Sequence, residues 1–264
     1  MANEPLRLES GAGIARLTLN RPEIHNAFDD DLIARLTDAL RTVEANPTVR
    51  AVVLASTGKS FSAGADLNWM KRMAGYSEDQ NRADAQALAE MLRTLNRLAK
   101  PTVALVQGAA FGGGVGLVAC CDMVVAATPA RFALTEVRLG ILPAVISPYV
   151  VAAIGERAAR RYLLTAERFD AVEAHRLGLV HAVVEPDALE ATGTALLDAL
   201  GQAGPLALGE TKDLIFRVSR GPVDAEMIAD TAERITRIRA SDEGREGIGA
   251  FLDKRPPAWL AGDD

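Results

Sequence analysis

Two short loops of small residues and one glutamate are the places where this chain could do chemistry. Ser62-Ala63-Gly64-Ala65-Asp66 and Ala110-Phe111-Gly112-Gly113-Gly114 each stand between a strand-like run and a helix-like run. At such a junction the first N–H groups of the helix lack partners, and small side chains let a ligand reach them. Two such donors aimed at one point would make an oxyanion hole, where a single donor commonly contributes about 3 kcal/mol to a transition state. The same glycines also suit tight packing of helix on strand, and either loop alone admits both readings. A phosphate cradle fits less well. No P-loop lysine follows the glycines, and Gly112-Gly113-Gly114-Val115-Gly116 does not match a dinucleotide fingerprint. Glu136 sits among Leu134, Val137 and Leu139. A carboxylate partly withdrawn from water has a raised pKa and can exchange protons near neutrality.

Other reactive side chains are not grouped. His25, His175 and His181 are dispersed and show no metal-ligand spacing, and nothing suggests a Ser-His-Asp arrangement. Cys120 and Cys121 are adjacent, which does not suit a structural bridge, so they read as buried thiols. With no disulfide framework a reducing compartment, the cytoplasm, is expected. The N-terminus lacks the basic-then-apolar pattern of a signal peptide. The richest apolar stretch, Ala109 to Ala127, is broken by four glycines and Asp122, so no membrane span is expected. A net charge of -6 without a basic run argues against nucleic acid or an anionic membrane as partner.

These loops need elements to hold them. The spacing predicts strands at 14–20, 51–55, 102–106, 123–126 and 132–134, with 51–55 apolar enough to be covered on both faces. It predicts helices from Asp29 to Val43, from Leu67 to Met73, from Ser77 with Ala85, Leu88, Leu92, Leu95 and Leu98 inward, and from Leu117 to Cys121. Residues 61–66 and 108–116 read as loops, and Glu136 falls on a turn or short helix. Helices are expected over 147–154, 156–165, 170–177 and 186–202, and the remainder is helix-forming throughout. The chain of 264 residues thus reads as an α/β core over 1–200 followed by a helical region over 201–264.

A more specific likeness emerges when the motifs are taken in order. Asn20-Arg21-Pro22, Asn26-Ala27, Phe61 to Leu67, Lys100-Pro101-Thr102, Gly108 to Gly114, Cys121-Asp122, and Phe132 through Glu136 to Leu139-Gly140 and Pro143 form one set. With the ending Glu243-Gly244, Ala250-Phe251 and Lys254-Arg255, that set resembles the crotonase (enoyl-CoA hydratase/isomerase) family along essentially the whole chain. The resemblance implies a spiral of ββα units with a C-terminal helical oligomerisation region that builds homotrimers or homohexamers. It implies an oxyanion hole from the N–H groups of Ala65 and Gly113, closed on the thioester of an acyl-coenzyme A. The adenine would lie near Ala63, Asp66 and Leu67, and Phe251 and Lys254 match residues that help hold the nucleotide. Phe251 equally suits helix packing, and Lys254 a solvated charge. His25 would lie near the nucleotide. No separate cofactor is implied, because coenzyme A arrives with the substrate.

The chain departs from the family at one position. Typical hydratases of the family use two glutamates; the second matches Glu136, whereas the first aligns with Gly116, 20 residues earlier. One carboxylate still permits hydration, isomerisation or thioester hydrolysis, and a silent acyl-CoA-binding protein is a further alternative. A narrower resemblance, carried by Gly64 to Met70, Gly113 to Leu117, Glu136 to Gly140 and Pro143 to Tyr149, is to bacterial methylglutaconyl-CoA hydratases. It implies hydration of 3-methylglutaconyl-CoA, as in leucine breakdown, or of a longer isoprenoid glutaconyl-CoA. Asn68, Lys71, Gly112, Gly116 and Tyr149 are then expected to border the acyl group. Ser147 could join them, and Lys71 or Arg72 could meet the substrate's second carboxylate.

Overall fold

The computed structural model describes residues 4–219 and 221–260. It opens on a hairpin: Ala12 (φ 48°) and Gly13 (φ 77°) both take the positive angles that a two-residue turn demands. The turn joins β1 (Leu6–Gly11) to β2 (Ile14–Leu19), with Gly11 opposite Ile14. β1 was not expected, because it is an exposed strand with no buried face to betray it. Asp29 then caps α1 (Asp30–Ala45) by accepting from the Leu32 N–H.

Three successive units follow, each laying one strand in each of two sheets before a helix. The first is β3 (Ala51–Ser56) and β4 (Ser60–Ser62), followed by α2 (Leu67–Met73) and α3 (Glu78–Arg97). The second is β5 (Thr102–Val106), β6 (Ala109–Phe111) and α4 (Gly113–Cys120). The third is β7 (Met123–Ala127) and β8 (Arg131–Ala133), then a 3-10 turn, Glu136–Leu139, and α5 (Ser147–Thr165). After them come β9 (Phe169–Asp170), α6 (Ala171–Leu177), β10 (Ala182–Val184) and α7 (Leu189–Gly201). The larger sheet runs β1-β2-β3-β5-β7-β10 and the smaller β4-β6-β8-β9. This is the spiral of ββα units that the resemblance implies.

β3 is covered on both faces, as its apolar run predicts. Val52 and Leu54 join the main core, while Val53 and Ala55 pack with Val103, Leu105 and Leu189 under α7. Gly155 (φ 75°, ψ 156°) breaks α5 where the spacing places the boundary between two helices.

Several expectations need correction. Residues 61–66 and 108–116 are not loops throughout, since β4 and β6 occupy their first parts. These strands are only three residues long, too short to show alternation. The helix expected from Leu117 begins at Gly113. Glycine disfavours helix, but here close packing overrides propensity. On α3, Ala85 is exposed; burial falls on Met91, Leu92 and Leu95, because only the C-terminal half of that helix is covered.

The C-terminal helices α8 (Pro205–Val218), α9 (Ala225–Ala240) and α10 (Asp242–Asp253) pack on one another. Lys212, 8% exposed, reaches from α8 to Asp122 at 2.7 Å. The same Asp122 oxygen accepts from the Thr102 N–H at 2.8 Å and its hydroxyl at 2.9 Å. Arg50 donates to the carbonyls of Gly201, Ala203 and Trp259. The Lys212 ion pair and the Arg50 hydrogen bonds tie the helical end to the strands. Among the described residues, no helix is long and apolar enough to cross a membrane.

Candidate active site

The two small-residue loops meet face to face. A Cβ on Gly64 would lie 2.8 Å from the Phe111 carbonyl oxygen and 3.6 Å from the Gly113 nitrogen. One on Gly114 would lie 2.6 Å from the Ser62 carbonyl oxygen. Only glycine permits this approach, and Gly64 (φ 86°) and Gly112 (φ 50°) also take backbone angles that side chains resist.

Each loop presents one N–H to the junction. Phe28 and Ala65 form a parallel bridge, in which the Phe28 N–H donates to the Gly64 carbonyl at 2.8 Å and the Asp66 N–H to the Phe28 carbonyl at 2.9 Å. Bonds on either side of Ala65 turn its own N–H away from this bridge. Gly113 opens α4, where the first N–H groups have no carbonyl four residues back. Among the described residues, neither N–H has a hydrogen-bond partner. Two unpaired donors on abutting loops can bind an oxyanion.

Glu136 stands beside them. Its Oε1 lies 3.1 Å from where a Cβ on Gly112 would be. Its Oε2 is buried and has no hydrogen-bond partner among the described residues. Burial pushes the carboxyl above its ordinary value, with its own backbone N–H pulling weakly the other way. An orphaned carboxylate oxygen next to oxyanion donors is costly in a folded chain and useful for moving a proton.

Gly116 lies one turn into α4 and is buried. A Cβ there would sit 2.4 Å from Ile146 Cγ2 and 3.7 Å from Leu92 Cδ2. The space that a first glutamate would enter is therefore filled with hydrocarbon. This yields a stability prediction. Gly116→Ala should destabilise the protein, since overpacking costs about 1–3 kcal/mol against about 1 kcal/mol gained in helix propensity. In an Ile146→Ala background the same change should become stabilising. Urea unfolding of the four proteins measures the coupling; equal effects in both backgrounds would show that Ile146 does not fill this space.

The other candidate residues divide into groups. Ala63, Leu67 and Asn68 are exposed around Ala65 and form its rim. Asp66 is buried, and its carboxylate is committed to the fold: it accepts from the Asn68 N–H at 2.8 Å and the Trp69 N–H at 3.1 Å, and lies 3.6 Å from Arg21. Its backbone is engaged as well, the N–H by the Phe28 carbonyl and the carbonyl by the Met70 N–H, each at 2.9 Å. Lys71 is exposed on α2 without an ionic partner among the described residues, whereas Arg72 pairs with Asp30. Tyr149 is half-buried at the Cys120 end of α4, one turn beyond Gly116, and burial there raises its hydroxyl pKa. Ser147 turns its hydroxyl to the Pro143 carbonyl at 2.6 Å. Phe251 and Lys254 stand exposed at the end of α10, Phe251 at 82%.

The histidines have local tasks. His25 Nδ1 lies 3.1 Å from the Ser60 hydroxyl, His175 Nδ1 3.0 Å from the Val180 carbonyl oxygen, and His181 Nδ1 accepts the Val124 N–H at 3.0 Å. Among the described residues, no cluster of three or more His, Cys, Asp or Glu could hold a metal. Burial pushes the Cys121 thiol up to about 12 and raises Cys120 as well, so neither is a nucleophile. Two residues that line this region had no role in the sequence reading. Ile146 offered only its place in a motif. Phe28 offered only its position after Asn26-Ala27.

Comparison with known proteins bears on the fold and the family. A family profile described as Enoyl-CoA hydratase/isomerase matches residues 9–262. A solved structure of an enoyl-CoA hydratase from Shewanella pealeana is 44% identical, covers 98% of this chain and 97% of its own, and superposes with a TM-score of 0.95. The crotonyl-CoA hydratase of Syntrophomonas wolfei is 33% identical over 99% of this chain and 100% of its own. The 1,2-epoxyphenylacetyl-CoA isomerase of Escherichia coli is 32% identical over 94% of this chain and 95% of its own. A profile that matches nearly the whole chain, and relatives above 30% identity along its length, show that this chain belongs to the crotonase, or enoyl-CoA hydratase/isomerase, family.

Proposed function

We propose that the protein adds water across the 2,3 double bond of a branched enoyl-CoA, with 3-methylglutaconyl-CoA or a longer isoprenoid glutaconyl-CoA as substrate. The observation that carries this is the buried, unpartnered Oε2 of Glu136, a carboxylate whose Oε1 lies against Gly112. Ionised Glu136 takes a proton from water as the oxygen of that water bonds to C3. The electrons of the double bond move onto the thioester oxygen, which the N–H groups of Ala65 and Gly113 stabilise. Glu136 then returns the same proton to C2, and the carbonyl re-forms. One carboxylate closes the cycle, so Gly116 need not be a proton donor.

The rim of Ala63 and Leu67, with Asp66 between them, is suited to the nucleotide end of coenzyme A, and Asn68 to the acyl group. Lys71, without an ionic partner among the described residues, suits the distal carboxylate of a glutaconyl group better than the engaged Arg72. Phe251 and Lys254 are assigned to a nucleotide held across a trimer or hexamer, in a cytoplasmic enzyme.

The test is turnover of 3-methylglutaconyl-CoA and crotonyl-CoA, followed by ultraviolet absorbance and mass. Hydration removes the conjugated enoyl band and adds one water. The dicarboxylic substrate should react far faster, and equal rates would refute the role given to the distal carboxylate. A 3-enoyl substrate that gains the conjugated band without gaining mass would instead establish an isomerase, the activity type that the Escherichia coli relative's name carries. Binding without turnover of any of these would leave a non-catalytic acyl-CoA carrier.

A further inference from the structure

The strap from Asn26 to Asp29 is fixed at both ends. Asn26 is fully buried with φ 53°, and its side chain accepts from the Arg21 N–H and donates to the Thr57 and Ser60 carbonyls at 2.7 and 2.8 Å. The Ser62 hydroxyl donates to the Asn26 carbonyl at 2.9 Å. Arg21 donates to the Ala27 carbonyl at 3.1 Å and to Asp29 at 2.9 Å, and Asp29 caps α1. Phe28, 3% exposed, is therefore held from both sides.

Phe28 touches both arms of the oxyanion site. Its backbone brackets Ala65, through the bonds to Gly64 at 2.8 Å and Asp66 at 2.9 Å. The tip of its ring packs on the other arm, where a Cβ on Gly113 would lie 2.2 Å from Phe28 Cζ. The ring is backed in turn by Trp69, with centroids 6.4 Å apart and planes at 50°. The Trp69 indole N–H donates to Asp84 at 3.0 Å, which holds that ring in place. A displacement of the strap moves both donors together, and loss of the ring leaves only the Gly113 arm unsupported.

We propose that Phe28 is the positioning residue of the oxyanion site, setting the Ala65 arm with its backbone and the Gly113 arm with its ring. The proposal rests on the reading that these two N–H groups polarise the thioester. Phe28 touches no reacting atom; it acts through Gly113. Substitutions keep the backbone bonds and remove the ring, so their effect isolates the second half of the role.

The experiment uses the full-length enzyme and the variants Phe28→Leu, Phe28→Val and Phe28→Ala. A conjugated aryl-acryloyl-CoA serves as probe, because its absorption band moves to longer wavelength when the carbonyl is polarised. The contact with Gly113 is made by Cζ and Cε, so leucine, which ends at Cδ, loses the tip of the ring but keeps part of its bulk, and should retain part of the red shift and of kcat. Valine falls short and should lose about 10-fold in kcat, and alanine about 100-fold, the scale of one lost donor. KM and the acid limb of the pH profile, which reports Glu136, should not move. Valine provides the answer if alanine does not fold. Variants that unfold more easily yet keep the full red shift and kcat would make Phe28 a core residue only and overturn the proposal. If the parent itself shows no red shift with the probe bound, the oxyanion reading fails first, and that result is distinct from a shift that the parent has and the variants lose.

Discussion

Glu136→Gln should lower kcat by about 100-fold to 10,000-fold, the range for losing a positioned acid–base group, while acyl-CoA still binds. Single-turnover measurements with the variant at saturating enzyme separate the two. Retained activity would mean that another group moves the proton. The pH profile of the parent should carry the same signature. The reaction needs the ionised carboxylate, and burial holds its pKa above the ordinary value of 4.5, so activity should rise with pH through a limb above that value. Stability should move the opposite way. The unfolded chain gives up this proton first, and between the two pKa values the folded chain still holds it. Above both, the folded state must carry a charge in a dry place that the unfolded state carries in water. The Glu136 contribution is therefore least favourable once both states are ionised, and Glu136→Gln should unfold at equal or higher urea concentration there than the parent. A variant that is crippled and no less stable would mark Glu136 as a residue kept for chemistry.

Gly64→Ala should be the next most damaging change. Its Cβ would meet the Phe111 carbonyl oxygen at 2.8 Å, and the position has φ 86°. A backbone oxygen cannot swing aside like the end of a side chain. The loops must part, carrying the Gly113 N–H away from that of Ala65. Loss of one well-placed donor gives a kcat decrease of about 100-fold to 1,000-fold, and the strained backbone adds roughly 1–3 kcal/mol of destabilisation. The informative readout is kcat measured on protein shown to be folded by circular dichroism. Unchanged kcat would show that the two loops do not act together.

The parts of the fold carried by long periodic runs were legible. α1, β3, β5 and the break at Gly155 follow from spacing, caps and one glycine. The smaller sheet was not, because three-residue strands have no period to read, and their glycines resemble loop. The same holds for the site. Glu136 stood out because a charge among Leu134, Val137 and Leu139 is unusual. The small-residue loops stood out because glycine is costly unless something must come close. Phe28 and Ile146 did not, because an apolar side chain in a sequence says only that it will be buried. What each is buried against, Gly113 in one case and Gly116 in the other, depends on contacts between distant segments. Asp66 shows the converse: its motif suggests a ligand contact, whereas its carboxylate spends its hydrogen bonds on the start of α2.

The order of strands bears on how the chain is made. In the larger sheet, β1-β2-β3-β5-β7-β10, and in the smaller, β4-β6-β8-β9, position in space follows position in the chain. A chain made from its N-terminus can therefore set each new strand beside one already present, at one margin of each sheet. The opposite margin, β1, presents the charged Arg7 and Glu9, which discourage pairing with another nascent chain. Parallel pairing ordinarily must gather remote segments before any of them is stabilised; this order lets each pair form once its second strand is made. The helical region follows these strands in the chain, and its Lys212 pairs with Asp122, 90 residues earlier.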